Sequence, residues 1–168
     1  MLSKLGLVFS ILALLISLFL IYYSFFQTKL LSNNISPRTY NLSLGQLILS
    51  VLSFFALLLG YVTSDFSLIN VYENSHTTKP IFYKISGVWG NHEGSLLLWI
   101  NILVIFSFLF LILNKNKNKN FKIYTLIFQN LLITIFFIFL LISSNPFSPI
   151  FPIPREGMGL NPILQDPA

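Results

Sequence analysis

The sequence predicts an all-α membrane protein with four transmembrane helices and both termini outside. Three observations predict it. Apolar residues make up 55% of the 168-residue chain and charged residues only 9%, against about 25% charged in soluble domains. Four apolar spans, 5–26, 42–62, 95–113 and 123–142, contain no Asp, Glu, Lys, Arg or His. Each is close to the roughly 20 residues that cross about 30 Å of hydrocarbon. The third observation is the distribution of cations between the loops.

Span 5–26 is a helix of the mature protein rather than a cleavable signal. Its apolar run exceeds a signal's usual core of about 7–15 residues, and no small-residue cleavage site follows. The loop after it carries Lys29 and Arg38, and no acid. Span 42–62 leads into the long loop 63–94. Span 95–113 leads into a loop with Lys115, Lys117, Lys119 and Lys122, again without an acid. Span 123–142 leads into the tail 143–168. All five acids, Asp65, Glu73, Glu93, Glu156 and Asp166, lie in the long loop or the tail. Short loops rich in Lys and Arg stay inside. The two cationic loops are therefore placed inside, and the loop 63–94, the tail and both termini outside. Asn114-Lys115-Asn116-Lys117-Asn118-Lys119-Asn120 reads as a solvated turn. Its few cations do not support a nucleic-acid role.

Several function classes are excluded. With no cysteine, the chain has no disulfide, no thiolate metal site and no Cys-x-x-Cys-His haem attachment sequence. No span holds an ionisable group of the kind that proton relays and ion pathways use. This argues against a free-standing pump, channel or small transporter, and against a haem ligated within these spans. The polar residues there are Gln46, Asn101, Gln129 and Asn130 with scattered Ser and Thr. Their expected use is hydrogen bonding between helices. The tail holds six of the eight prolines. Proline fixes φ and removes an amide donor, so an extended tail is expected. Its apolar side chains, including Phe147, Phe151, Met158 and Leu164, call for a surface to lie on, and a partner is the expected one. The richness in Phe, Leu, Ile, Asn and Lys hints at an AT-rich organellar coding sequence.

The most distinctive stretch is Gly87-Val88-Trp89-Gly90-Asn91-His92-Glu93-Gly94-Ser95-Leu96-Leu97-Leu98-Trp99. It places two tryptophans, a His-Glu pair and glycines where a membrane helix meets the outer surface. Taken as helical from about Gly90, His92, Ser95 and Trp99 share a stripe, and Glu93 lies about 100° round, near Leu97 and Ile100. Gly90 and Gly94 form a Gly-x-x-x-Gly pair, which permits close approach of another helix or of a flat ligand. Trp89 and Trp99 stand about 15 Å apart along such a helix. The candidate ligand- or partner-binding surface is Trp89, Gly90, His92, Glu93, Gly94, Ser95 and Trp99. The plain alternative is a helix start, with Glu93 complementing the helix dipole and His92 at the rim. His76 and His92 are the two histidines, too few for a metal site. No catalytic residue is assigned.

These residues resemble a known family. Ser64-Asp65-Phe66-Ser67, Val71-Tyr72-Glu73-Asn74-Ser75-His76, and Tyr83-Lys84-Ile85-Ser86 running on into the Gly87–Trp99 stretch look like the first external loop and third helix of CcmF. Ser144-Asn145-Pro146-Phe147, Glu156-Gly157 and Leu160-Asn161-Pro162-Ile163-Leu164-Gln165-Asp166-Pro167 look like its next external segment. The resemblance covers nearly the whole chain. It implies a subunit of the machinery that delivers haem and attaches it to apocytochrome c. The implied cofactor is haem held by the assembled complex. The implied partners are the remaining CcmF-like chain or chains, a haem chaperone, apocytochrome c and membrane lipid. The family's haem ligands and its tryptophan-rich segment lie later in longer chains, so none is carried onto a residue here. His92 matches a family histidine that is not one of those ligands. The expectation is the amino-terminal part, residues 1–168, of a split form and a non-autonomous part of a haem lyase. It is expected in the mitochondrial inner membrane, or the bacterial inner membrane if the gene is not organellar. The other open reading is a non-catalytic scaffold that docks maturation factors.

Overall fold

The computed structural model describes residues 2–29, 35–114 and 117–159. Four long helices, α1 (Leu2–Thr28), α2 (Pro37–Val62), α5 (His92–Leu113) and α6 (Lys119–Ser143), are long and apolar enough to cross a membrane. Two short helices, α3 (Ile69–Asn74) and α4 (Ile81–Gly87), interrupt the long loop. The four long helices form a ring in which α1 packs on α2 and α6, and α5 packs on the same two. The described residues form no strand, only an isolated antiparallel bridge between Leu68 and Pro149.

The helices extend beyond the uncharged spans because capping residues, not hydropathy, set their ends. Helix α2 starts at Pro37, after Ser36 accepts a bond from the Arg38 amide. Proline suits this first position because its missing N–H has no partner there in any case. Helix α5 starts at His92 rather than residue 95, since Asn91 caps it. It thereby takes His92 and Glu93 into its first turn.

The seam between α1 and α2 is lined with small polar side chains. On α1 the buried positions are Ser10, Ala13, Ser17, Leu20, Ser24 and Gln27. On α2 they are Thr39, Ser43, Gln46, Ser50, Ser53, Leu57 and Gly60. Both sets alternate spacings of three and four, the repeat of a supercoiled helix pair. Small residues let the backbones approach closely where no hydrophobic effect drives helices together. The Ser10 and Ser53 hydroxyls lie 2.6 Å apart, and Gln27 Nε2 donates to Thr39 Oγ1 at 2.5 Å. Ser17 meets Thr134 of α6 at 2.7 Å. Phe19, Phe25 and Leu15 face outward, about half exposed. Asn101 and Asn130 differ from the expectation for buried amides. Each donates to the carbonyl four residues back in its own helix, Leu97 and Leu126.

At the far end of α2 the chain turns through a Schellman motif. Asp65 N bonds Gly60 O at 2.9 Å and Ser64 N bonds Tyr61 O at 3.2 Å. Ser64 takes the left-handed conformation (φ 54°) that glycine usually occupies here. Helices α3 and α4 then form a small head whose apolar residues Phe66, Leu68, Val71 and Val88 join the main core.

The backbone of the tail is held by this same chain as far as Gly159, although Phe151, Ile153 and Met158 stay exposed. Ile69 N bonds Ser148 O, Ile150 N bonds Ser67 O, and Met158 N bonds Tyr72 O at 2.8 Å. Phe147 is 2% exposed, its ring lying where a side chain on Gly6 would otherwise be. Gly157 packs so tightly on the Ser75 carbonyl that a Cβ would come within 2.0 Å of it. The expectation that a partner orders the tail is thus corrected for the backbone of 144–159, which pairs with the chain's own loop, while Phe151, Ile153 and Met158 remain open to a partner. Leu160, Ile163 and Leu164 lie outside the described residues.

Candidate functional site at the head of α5

Three side chains form a closed hydrogen-bonded ring where α2, α3 and α5 meet. Tyr61 Oη donates to Asn70 Oδ1 at 2.7 Å. Asn70 Nδ2 donates to Asn91 Oδ1 at 2.8 Å, and Asn91 Nδ2 donates back to Tyr61 Oη at 2.8 Å. The remaining capacity is also used. Asn70 gives its second proton to Glu93 Oε2 at 3.0 Å, and Asn91 gives its second to Gly87 O at 2.8 Å. Asn91 Oδ1 also accepts the Gly94 amide at 2.8 Å, capping α5. A network with every member paired rigidifies its surroundings, whereas a partly paired one destabilises them.

Gly94 sits at the closest backbone approach in this region. A Cβ there would lie 1.6 Å from Val88 O. This corrects the Gly-x-x-x-Gly reading: Gly90 precedes α5 in a bend, and Gly94 makes room for the chain's own strap at Val88. The pair is not a flat helix face.

The candidate residues divide between two sides of α5. Glu93 turns inward to Asn70, on the face of the fully buried Leu97 and Ile100, as the angular reading implies. His92 and Trp99 lie on the outer face, with Trp99 61% exposed. His92 stands edge-on to Phe139 of α6, ring centroids 6.4 Å apart. Ser95 donates to Asn91 O at 2.7 Å and stays partly open. Trp89 and Gly90 are exposed in the turn before Asn91. Trp89, His92 and Trp99 are therefore the exposed members of the set, and Glu93 and Gly94 are turned inward. Sequence reasoning missed Tyr61, Asn70 and Asn91. An Asn immediately before the helix was a legible cap signal; Tyr61 and Asn70 carried none, since their roles depend on the fold.

Beside this site, Glu156 of the tail grips the loop. Its Oε1 accepts the Thr77 amide at 2.9 Å and its Oε2 the Thr77 hydroxyl at 2.8 Å. His76 Nε2 lies 3.7 Å away. The bonds from Thr77, with His76 contributing least, hold the Glu156 carboxyl below the ordinary glutamate range. Lys79 donates to Asn74 O at the end of α3, and its burial lowers its pKa.

Among the described residues no group of three His, Cys, Asp or Glu could hold a metal ion. His76 Nδ1 is engaged with Thr78 and His92 lies against Phe139 on the outer face. These residues do not fit a haem ligated by this chain alone.

The sequence matches known proteins. The profile of the family described as "Cytochrome C assembly protein" matches residues 89–168. The chain is 48% identical over 126 residues to the cytochrome c-type biogenesis protein CycK of Rhizobium meliloti, covering 75% of this chain and 19% of that protein. It is 39% identical over 131 residues to CcmF of Haemophilus influenzae, covering 77% of this chain and 20% of that protein. The chain is thus similar to proteins of cytochrome c-type biogenesis over most of its length. It spans about a fifth of the length of the curated relatives it matches. A solved structure titled "Cytochrome c Heme Lyase CcmF" superposes with a TM-score of 0.76 over 88% of this chain and 25% of that one, at 21% identity. At that identity the likeness speaks for the fold. Trp89, Asn91, His92 and Trp99 fall within the family-matched region, which begins at Trp89, whereas Tyr61 and Asn70 precede it.

Proposed function

We propose that this chain is part of a CcmF-type protein and serves haem delivery and attachment to apocytochrome c. The observation that carries this reading is 48% identity to a cytochrome c-type biogenesis protein across three quarters of the chain. Its partners are the remaining CcmF-like chain or chains, a haem chaperone and apocytochrome c. Haem is met only in the assembled complex, because the two histidines here are not arranged as ligands. The coding skew toward Phe, Ile, Asn and Lys supports the mitochondrial inner membrane.

In this reading the exposed Trp89, His92 and Trp99 face haem or apocytochrome c. An aromatic surface suits a flat macrocycle or an apolar peptide. The hydrogen-bonded ring behind it fixes the first turn of α5 and so the direction of His92. His92→Ala removes little packing, and the variant should co-purify with its partner chain while maturing less cytochrome c. Normal maturation with normal assembly would make His92 a rim residue only. Co-purification of a chain carrying a tryptophan-rich segment is expected; capture of maturation factors without such a chain would favour the scaffold.

The cation distribution supports both termini lying outside. Single cysteines at Lys117 and Glu73 should label from opposite faces of sealed vesicles. Labelling from the same face would refute that topology.

A further inference from the structure

Lys29 and Arg38 lie at the end of the bundle opposite the head. Ile35, Leu111, Ile123 and Leu126 pack into one cluster there, so the two cationic loops lie at the same end. Four of the five acids, Asp65, Glu73, Glu93 and Glu156, belong to the head and tail at the other end, and Asp166 is outside the described residues. Among the described residues no carboxylate is therefore available to Lys29 or Arg38.

These two cations flank a built feature. Gln27 clamps the ends of α1 and α2: its Oε1 accepts the Ser36 amide at 3.0 Å and its Nε2 donates to Thr39. Tyr23 Oη adds a bond to Ser36 Oγ at 3.1 Å. Lys29 follows the clamp by two residues on α1, and Arg38 sits within it on α2. Outside the clamp stands an aromatic ridge. Phe19 and Tyr23 stack at 6.0 Å with an 11° interplanar angle, and Tyr22 lies 6.4 Å from Phe19. Two small grooves adjoin these rings. One, of about 310 Å³, is lined by Phe19, Arg38, Asn41 and Leu42. The other, of about 210 Å³, is lined by Tyr22, Phe25, Phe26 and Lys29, all at the end of α1.

We propose that this end of α1 and α2 binds one anionic diacyl phospholipid, with its phosphate between Lys29 and Arg38 and one acyl chain in each groove. Two apolar grooves, each with one cation in its lining, match two chains leaving one headgroup. Basic pockets at helix ends favour anionic headgroups, and a cation near a charged bilayer surface contributes on the order of a fivefold preference. The tyrosines suit the headgroup level, where amphipathic rings concentrate.

The test uses the full chain in vesicles of phosphatidylcholine with a minor share of phosphatidylglycerol, followed by mild extraction and analysis of retained lipid. Phosphatidylglycerol should be enriched over its bulk share. Lys29→Gln and Arg38→Gln should each lower that enrichment about fivefold. Lys117→Gln, which removes the same charge at the same end but outside the grooves, should leave it unchanged. Equal loss in Lys117→Gln, or no loss in the two groove variants, overturns the site. Displacement of the lipid by excess inorganic phosphate would indicate a plain anion site and overturn the role of the grooves. A benzoylphenylalanine replacing Tyr22 should cross-link to phospholipid in membranes; an adduct to a protein helix instead overturns the proposal.

Discussion

The α1–α2 seam and the α3–α4 head solve burial in opposite ways. The seam hides Ser10, Ser17, Ser24, Gln27, Gln46 and Ser50 and turns Phe19, Phe25 and Leu15 outward. The head hides Phe66, Leu68, Val71 and Val88 and keeps Glu73, Lys79 and Lys84 nearer the surface. In hydrocarbon an outward Leu loses nothing, so close approach of small residues decides what is buried. In water the apolar area itself decides. The ring of Tyr61, Asn70 and Asn91 stands at the boundary. Asn70 is nearly as buried as the seam's serines and Asn91 is part-buried, and every partner is fixed.

That contrast can be broken first at Gly94. A Cβ within 1.6 Å of Val88 O cannot be absorbed by a side-chain rotation. Gly94→Ala should cost about 3 kcal/mol, at the upper end for overpacking. Thermal unfolding of the purified chain should show this, and a change under half that size would mean that the strap at Val88 is soft. Asn91→Ala should come next, at about 2 kcal/mol, since it removes the cap and leaves Tyr61 and Asn70 short of partners. If Asn91→Ala and Asn70→Ala together lose no less than their sum, the ring is not cooperative.

In the seam the same deletion should matter much less. Ser17→Ala removes the bond to Thr134 but keeps the small size that the seam requires. About 0.6 kcal/mol is expected, the usual value for a bond between membrane helices. A loss as large as that of Asn91→Ala would erase the distinction between seam and head. The smallest effect belongs to Glu156. Its lowered pKa means that its bonds to Thr77 stabilise the tail fully above the ordinary glutamate pKa. They are lost as the pH falls through the depressed value. Hydrogen exchange at the Thr77 amide should accelerate only over that acidic range, and Glu156→Gln should flatten the response.

The four long helices were legible because an uncharged apolar run of membrane length has few other folds. Their facing was not, since nearly every residue is apolar and the polar ones appeared scattered. Yet Ser10, Ser17 and Ser24 recur every seven residues, which is the seam itself written in the sequence. Helices α3 and α4, at six and seven residues, are too short to form without tertiary packing. Their pattern carries no helical signal of its own. Of the candidate surface, the angular separation of Glu93 from His92 followed from helical geometry. The ring behind them depends on Tyr61 and Asn70, brought to Asn91 by the fold alone.

Phe147 on Gly6 has a further consequence, for the order of events during synthesis. Helices α1 and α2 are neighbours in sequence and can pair as soon as both have emerged. The contact of α1 with α6 joins Ser17 to Thr134, 117 positions apart, and Phe147 lies beyond even that. Contacts so distant along the chain form late. The first helix must therefore wait with its Gly6 notch open to lipid until the end of α6 arrives. A chain released before Phe147 would keep all four helices yet leave the ring unsealed at its outer rim.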